Sequence, residues 1–189
     1  MIARDVYTEE DGERWRPELP GHSADILPFY RSICDTIPRA GVFLEVGVAF
    51  GRSLAFMREL RPDIVCIGLD TFAQVEADDT THGHLITEHN GHYEAFLATA
   101  PDLITSCVII RGDLDAIVSD VDVCFIDADH SYGSACADIK RASMLIKPGG
   151  LLGGHDYHAE EHPGVVRAVD MLIGPNVKRH GRTCWWSSR

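Results

Sequence analysis

The sequence predicts an α/β fold of the Rossmann-like, doubly wound type. We expect a mostly parallel seven-stranded sheet, helices on both of its faces and an antiparallel hairpin at the C-terminus. Short and nearly continuous apolar runs alternate with segments of helical periodicity, as expected for strands that are covered on both faces. The first apolar run leads into a turn that contains Gly47 and Gly51, and a helix follows it. Such a strand–turn–helix unit is typical of sheets that bind a nucleotide-like ligand.

The first helix and the strands have recognisable boundaries. Ser23 is a suitable N-cap for a helix over 23–37, and Pro38 with Gly41 ends it. Pro28 is tolerated because it lies in the first turns of that helix. The apolar runs predict five strands, at 42–48, 64–70, 107–112, 121–127 and 150–155. Consecutive parallel strands require right-handed crossovers, which the intervening helices supply.

The helices predicted between these strands are 51–60, about 88–100, a short one near 114–118, and 131–146. Pro148-Gly149-Gly150 ends the last of them. A further helix begins at Pro163, because proline is favoured at a first helical position, and it ends before Gly174. Residues 177–179 and 183–186 flank a turn with a glycine and predict the hairpin.

Length and composition indicate one globular unit. The 189 residues predict a single domain over 23–189, preceded by an N-terminal arm over 1–22 that is either loose or a cover for the domain. The net charge of −12 argues against nucleic acid or an anionic membrane as partner, and no apolar run is long enough to cross a bilayer. Six dispersed cysteines without a Cys-x-x-Cys pair, and a polar N-terminus unlike a signal peptide, predict a cytoplasmic location.

Every predicted parallel strand delivers an acid to its carboxyl end. These acids are Glu45, Asp70, Asp113, Asp127 and Asp156. Because the carboxyl ends of parallel strands meet at one edge of the sheet, we expect a functional site there. Asp70, at the end of the second strand, can accept hydrogen bonds from both hydroxyls of a ribose. Asp113 can meet an adenine amino group, or it can cap the short helix that follows.

Several of these segments together resemble the motif set of class I S-adenosylmethionine-dependent methyltransferases. They are Glu45-x-Gly47-x-x-x-Gly51, Asp70, Gly112-Asp113, Asp127 and Lys147-Pro148-Gly149-Gly150. More narrowly, the segments 68–72, 125–132 and 154–157 resemble small bacterial O-methyltransferases related to macrocin-type and catechol-type enzymes. The resemblance covers about 43–170. It implies methylation of a hydroxyl on a small-molecule acceptor, with S-adenosyl-L-methionine as the methyl donor.

The resemblance also implies a set of cofactor-binding residues: Glu45, Gly47, Val48, Gly51, Ser53, Asp70, Thr71, Phe72, Asp113, Leu114 and Asp127. In this interpretation the two glycines let the backbone approach the cofactor, since a Cβ there would clash. Glu45 lies near the cofactor's ammonium group, Asp70 holds the ribose, and Asp113 with Leu114 flanks the adenine. Phe72 either covers a ring face of the cofactor or belongs to the core.

Metal-dependent relatives imply a divalent cation held by Asp127, His155 and Asp156. Oxygen ligands suit Mg²⁺, but relatives carry an acid or an amide where this chain has His155, and a histidine suits Mn²⁺, Zn²⁺ or Fe²⁺. Without a metal, His130 and His155 are alternative general bases, so the catalytic candidates are Asp127, His130 and His155. His130 capping a helix and His155 as an ordinary strand-end residue remain structural alternatives. His162 is assigned to a solvated loop.

Other functions remain open at this level. A nicotinamide-dependent oxidoreductase is disfavoured, because the Gly-x-Gly that packs against a pyrophosphate is missing from the turn 47–51. A metal-dependent hydrolase on the same fold and a non-catalytic binding protein are the further alternatives. Acceptor specificity is expected in the loops and the terminal addition, at 1–22, 73–87 and 157–162. A homo-oligomer could help to close the acceptor pocket.

Overall fold

The computed structural model describes residues 1–21, 24–73 and 83–189. Seven strands form one sheet in the order β3-β2-β1-β4-β5-β7-β6. The strands are β1 (Val42–Val46), β2 (Val65–Asp70), β3 (Val108–Arg111), β4 (Val121–Ile126), β5 (Ile146–Gly154), β6 (Lys178–His180) and β7 (Cys184–Ser188). The first five are parallel, and β7 pairs antiparallel with both β5 and β6. The predicted fold class is therefore confirmed, including the C-terminal hairpin.

Helices cover both faces of the sheet. They are α1 (Glu9–Arg14), α2 (Ile26–Ile33), α3 (Arg52–Leu60), α4 (Gly83–Glu88), α5 (His92–Thr99), α6 (Pro101–Ser106), α7 (Tyr132–Leu145) and α8 (Pro163–Leu172). Side chains alternate along β1, so that Phe43 packs in the core with α2 and α3, and Leu44 packs in the core with α7 and α8. Glu45 shares the face of Phe43, which directs it toward α2 and α3.

Three predicted helices differ in the structure. The first begins at Ile26 and ends at Ile33, where a 3₁₀ turn (Cys34–Thr36) continues it, and the expected cap Ser23 lies outside the described residues. The helix predicted at about 88–100 is α5, which begins only at His92 because Asn90 and Gly91 adopt positive φ angles of 60° and 155°. The helix α6, which begins with a proline, was not predicted. The short helix near 114–118 is a 3₁₀ turn over Leu114–Ala116.

The N-terminal segment packs against the rest of the chain. Thr8 and Asp11 form a capping box that begins α1. Trp15 is fully buried and meets Phe56 edge-on, with ring centroids 5.0 Å apart. Arg52 donates hydrogen bonds from Nη2 to the carbonyls of Gly12 (2.8 Å) and Trp15 (2.7 Å). The predicted arm thus includes residues that cover the α2–α3 face, while its boundary at 22–23 lies outside the described residues.

None of the helices in the described part of the chain is long and apolar enough to span a membrane. The six cysteines carry free thiols, and all but the partly exposed Cys107 are buried. Such thiols behave as small apolar side chains of the core.

Candidate active site at the carboxyl edge of the sheet

The turn between β1 and α3 requires glycine for reasons internal to the chain. Gly47 has φ +88°, and a Cβ there would lie 1.8 Å from the carbonyl oxygen of Asp127. Gly51 has φ +82°, and its Cβ would lie 2.5 Å from Leu103 Cδ1. Backbone conformation and packing therefore explain both glycines. The sequence-based reason, close approach of a cofactor, is not needed for them, and their contact with a cofactor stays a prediction.

Asp70 braces this turn from the end of β2. Its Oδ2 accepts hydrogen bonds from the backbone amides of Val48 (2.8 Å) and Ala49 (2.9 Å), and its Oδ1 accepts one from Phe72 N (2.7 Å). Ala49 and Phe72 have positive φ angles of 48° and 47°, so the carboxylate stabilises two strained positions. Oδ1 retains a lone pair that can accept a further hydrogen bond.

Glu45 lies behind the turn and not at its surface. It is 1% exposed, and it accepts hydrogen bonds from Ser53 Oγ (2.5 Å, to Oε1) and from the Tyr30 hydroxyl (3.1 Å, to Oε2). Burial raises the pKa of Glu45 to about 8, although the hydrogen bonds from Ser53 and Tyr30 act in the opposite direction. At neutral pH this side chain is therefore mainly protonated.

The remaining predicted cofactor residues near β2 and β3 differ in exposure. Phe72 is 3% exposed and packs on Tyr93 and Phe96, with ring centroids 5.0 and 5.2 Å away. The structure thus places Phe72 in the core. Leu114 is also buried, and Val48 is 3% exposed. Asp113 caps the 3₁₀ turn by accepting a hydrogen bond from Asp115 N at 3.0 Å, and Thr71 is exposed.

A buried imidazole lies beside these residues. His92, at the start of α5, is 8% exposed and packs between Phe50 and Phe72, whose ring centroids lie 5.3 and 5.5 Å from its own. Within the described residues neither of its ring nitrogens has a hydrogen-bond partner. Buried polar groups normally have partners, so this end of β2 is suited to a polar ligand.

Acids and histidines from the segments that follow β4 and β5 and that precede α2 and α8 converge at the same edge. We call them the acid–histidine cluster: Asp25, Asp127, His130, His155, Asp156 and His162. At its centre, His155 Nε2 lies 2.7 Å from Asp25 Oδ2. The other ring nitrogen of His155, Nδ1, lies 3.0 Å from Asp156 Oδ1 and 3.4 Å from Asp127 Oδ1. Asp156 has φ +60°, a strained conformation that is common at functional sites.

The charges of this cluster change its pKa values. Burial lowers the pKa of His155, but hydrogen bonds to Asp127, Asp156 and Asp25 outweigh it and raise the pKa well above its usual range. Burial would raise the pKa of Asp156, yet its hydrogen bonds to His130 and His155 lower it. In the protein alone, the imidazolium of His155 therefore balances the surrounding carboxylates.

His130 has a different environment from His155. Its Nε2 lies 2.8 Å from Asp156 Oδ2, and its side chain is 46% exposed. The hydrogen bond to Asp156 raises the pKa of His130 above its usual value, against the effect of burial. The ring of His162 packs 4.2 Å from that of His130, and its Nε2 lies 3.3 Å from Asp156 Oδ1. His130 and His162 thus flank one carboxylate.

Sequence reasoning missed two members of the cluster. Asp25 is 130 residues from His155, and no motif spacing connects them. An aspartate directly before a helix is expected to cap it, but the Asp25 side chain makes no cap hydrogen bond to α2. His162 was assigned to solvent, whereas it is half-buried beside Asp156. Only the return of α2 and of the 157–162 loop to the edge of the sheet brings these residues into the site.

The cluster fits a small cation. A cavity of about 20 Å³ opens beside Asp127, His155 and Asp156, which is room for about one water molecule. His155 Nδ1 and one oxygen from each of the two aspartates lie within 4.8 Å of one another. Ligands about 2.1 Å from one ion are separated by about 3 Å. His155 Nδ1 lies 3.0 Å from Asp156 Oδ1 and 3.4 Å from Asp127 Oδ1, which is close to that separation. The residues present are therefore compatible with a divalent cation.

A glycine turn braced by an acid and a cluster of acids and histidines, both at the carboxyl edge of a parallel sheet, define a nucleoside-binding α/β enzyme. Residues 44–157 match the family model described as "Methyltransferase domain". The match covers more than half of the chain, so the chain belongs to this family. The predicted class, an S-adenosylmethionine-dependent methyltransferase, is confirmed. A search of curated proteins found no match.

Solved structures of similar fold include several methyltransferases. CalS11, a TDP-rhamnose 3'-O-methyltransferase in calicheamicin biosynthesis, is 18% identical over 97% of this chain and 87% of its own, with a TM-score of 0.61. The O-methyltransferase NovP is 17% identical over 98% of this chain and 88% of its own, with a TM-score of 0.67. TrmN from Thermus thermophilus is 14% identical over 93% of this chain and 52% of its own, with a TM-score of 0.60. At these identities the likeness shows a shared fold.

Proposed function

We propose that this protein transfers the methyl group of S-adenosyl-L-methionine to a hydroxyl of a small molecule. The observation that carries the proposal is His130 held by Asp156 at the same edge as the Asp70-braced turn. CalS11 and NovP are O-methyltransferases, which supports this acceptor class. The net charge of −12 disfavours a nucleic-acid acceptor, although TrmN shares the fold.

The cofactor site is proposed to lie along the turn 47–51 and the end of β2. The bound cofactor would supply an electrophilic methyl group on its sulfonium sulfur. Asp70 would use its remaining lone pair on Oδ1 for a ribose hydroxyl, with the amide hydrogen bonds of the turn keeping its carboxylate in place. Asp113 and Leu114 would lie near the adenine. Glu45 and Ser53 would shape the site from behind the turn, because both are buried.

His130 is the proposed general base. Asp156 is an acceptor, so Nε2 of His130 carries the proton that it donates to Asp156, and Nδ1 is left with a lone pair. The raised pKa strengthens Nδ1 as a proton acceptor. His155 fits the role of base less well, because both of its nitrogens face carboxylates. Asp127 contributes negative charge beside His155.

Asp127, His155 and Asp156 are the residues that would hold a divalent cation. When bound, such a cation would lower the pKa of an acceptor hydroxyl and fix its position. Oxidoreductase and hydrolase chemistry gain no support from the family that the chain matches.

The direct test incubates the protein with S-adenosylmethionine and a panel of phenols, catechols and sugars, and measures S-adenosylhomocysteine by liquid chromatography. We expect turnover with at least one acceptor and a roughly 100-fold or greater loss of kcat in His130→Ala. The affinity for S-adenosylmethionine, measured by calorimetry, should be unchanged in that variant. His89→Ala, a change directly after α4, serves as the matched histidine control. Tight binding of NADH without binding of S-adenosylmethionine would contradict the proposal.

A further inference from the structure

Asp25 is not one of the proposed cation ligands, but its carboxylate contacts His155. Of the three proposed ligands, His155 is the one that would bind the cation through nitrogen. Asp25 Oδ2 lies 2.7 Å from His155 Nε2, while His155 Nδ1 faces Asp127 and Asp156. Histidines that bind metals usually donate the second ring N–H to a carboxylate or carbonyl. That hydrogen bond fixes the tautomer and raises the basicity of the ligating nitrogen. Asp25 has the geometry of such a partner.

The surroundings of Asp25 hold it toward His155. The Thr183 hydroxyl donates a hydrogen bond to the same Oδ2, and the Cys184 thiol contacts the backbone carbonyl of Asp25 at 3.8 Å. The side chain of Asp25 is 19% exposed, that of His155 is 14% exposed, and Asp25 does not cap α2. The half-buried carboxylate of Asp25 thus contacts the imidazole of His155 and does not cap the nearby amides of α2. This arrangement indicates that the carboxylate holds the imidazole in place.

We propose that Asp25 positions His155 so that Nδ1 ligates the cation, and that the site thereby selects a transition-metal ion over Mg²⁺. The inference rests on the cation site of the proposed function. Mg²⁺ prefers oxygen ligands in octahedral geometry, whereas an imidazole nitrogen suits Mn²⁺, Fe²⁺, Co²⁺ and Zn²⁺. One nitrogen and two carboxylates therefore favour the transition metals, with affinity rising from Mn²⁺ to Co²⁺.

The test measures metal binding with the full-length protein, stripped by a chelator, in the absence of methyl donor and acceptor. Co²⁺ is titrated and its visible d–d absorption is recorded, and Mg²⁺ is then added in excess. We expect one equivalent of Co²⁺ to bind with a spectrum of nitrogen and oxygen ligands, and excess Mg²⁺ not to displace it. Displacement by Mg²⁺, or the absence of Co²⁺ binding, overturns the proposal.

Variants separate positioning from a merely structural role. Asp25→Asn should weaken Co²⁺ binding by about 10- to 100-fold and shift the absorption band. Asp35→Asn, which changes an exposed carboxylate just after α2, should change neither. In a His155→Asn background, Asp25→Asn should cost no further affinity, because Asp25 acts through His155. Equal Co²⁺ affinity in Asp25→Asn and the wild type overturns the proposal.

Near-UV circular dichroism of each chelator-treated variant checks that the fold is kept. Should Asp25→Asn fail to fold, Thr183→Val removes the hydroxyl that holds Asp25 and should weaken Co²⁺ binding in the same direction by a smaller factor. If Thr183→Val has to replace Asp25→Asn and binds Co²⁺ as tightly as the wild type, the proposal is overturned.

Two other groups of neighbouring residues are alternative sites for the ion, and each predicts a different result in this experiment. An intense near-ultraviolet thiolate band would place the ion on Cys184 with Asp25 and His155, and loss of binding in His162→Asn would place it on the outer histidines. Either result overturns the proposal. Because no readout requires methyl transfer, an inactive protein that binds Co²⁺ as expected would refute the proposed reaction and leave this inference standing.

Discussion

At the scale of single residues, the environment of each histidine determines its chemistry. His130 and His155 come from neighbouring strand ends and both contact Asp156. His130 makes this contact through one nitrogen and keeps a lone pair on the other. His155 is held at both nitrogens by Asp25, Asp127 and Asp156, which suits a ligand or a fixed cation and not a base. The two imidazoles therefore have different proposed roles, His130 as the base and His155 as a metal ligand.

Asp70 provides the residue-scale prediction for cofactor binding. Asp70→Asn keeps one oxygen for the turn but loses the charge, so we expect at least tenfold weaker binding of S-adenosylmethionine with the fold retained. A hydrogen bond to a charged group contributes about 1.5–3 kcal/mol, and about 1.4 kcal/mol corresponds to a factor of ten. Asp70→Ala should in addition lower Tm, because the amides of Val48, Ala49 and Phe72 lose their acceptor.

Calorimetry with S-adenosylmethionine and thermal unfolding measure the two effects of the Asp70 variants separately. The exposed Asp102→Asn is the control and should leave both quantities unchanged. Unaltered affinity in Asp70→Asn would refute the assignment of Asp70 to the ribose.

At the scale of elements, the joint between β1 and α3 positions the site. Gly47 N donates to Leu69 O at 2.8 Å, and Asp127 N donates to Val46 O at 2.7 Å, so the ends of β1, β2 and β4 are connected. The turn that follows passes directly over Asp127. The position of the glycine turn relative to the acid–histidine cluster is therefore fixed by strand pairing.

Substitution of Gly47 tests this joint. Gly47→Ala places a Cβ against the Asp127 carbonyl at φ +88°, so we expect a loss of several kcal/mol in the free energy of unfolding. Strained φ angles cost about 1–3 kcal/mol, and overpacking costs a similar amount. Gly133→Ala is the matched control, since Gly133 lies in α7 and no atom of the described residues lies within 4 Å of the added Cβ. That change should stabilise the protein by about 0.5–1 kcal/mol.

Urea unfolding of both glycine variants, followed by far-UV circular dichroism, provides the measurement. Equal stabilities of Gly47→Ala and the wild type would show that the joint tolerates a side chain, contrary to the packing described for it.

At the scale of the whole molecule, segments that are far apart along the chain pack together around the sheet. The segment around Trp15 covers the α2–α3 face through Arg52, and the hairpin β6–β7 extends the sheet beyond β5. We propose that residues 1–22 form an arm that covers a single domain over 23–189. A homo-oligomer and a cytoplasmic location remain predictions. Light scattering of the purified protein would determine the oligomeric state.

The buried carboxyl group of Glu45 makes the free energy of unfolding of the whole molecule depend on pH. The pKa of Glu45 is about 8 in the folded protein and near 4.5 when unfolded, so the folded state binds the extra proton between these values. The contribution of Glu45 to stability is complete below pH 4.5 and is lost as pH rises toward 8, by about 1.4 kcal/mol per pH unit. In Glu45→Gln, the free energy of unfolding should therefore fall less between pH 5 and 8.

Denaturant unfolding at several pH values checks this slope, with the exposed Glu88→Gln as control. The same pH dependence in Glu45→Gln and the wild type would contradict the assignment.

Sequence reasoning predicted most of the sheet because its strands are short apolar runs bounded by strong signals. The helices α3, α7 and α8 begin close to Gly51, Ser131 and Pro163, as expected, although the cap of α7 is Ser131 and not the alternative His130. It failed where local signals were weak. The helix predicted at about 88–100 begins only at His92, since Asn90 and Gly91 adopt positive φ angles that interrupt it. Part of the expected specificity loop, 74–82, lies outside the described residues.

The sequence by itself determined the fold class, the methyltransferase family and the strand-end acids, because strand order places every carboxyl end at one edge. Only the tertiary structure decided what those acids contact. The Glu45 side chain is buried against Ser53 and Tyr30. Asp70 accepts hydrogen bonds from backbone amides, and Asp25 contacts His155. Such contacts depend on side-chain direction and on segments far apart along the chain, which no local pattern encodes.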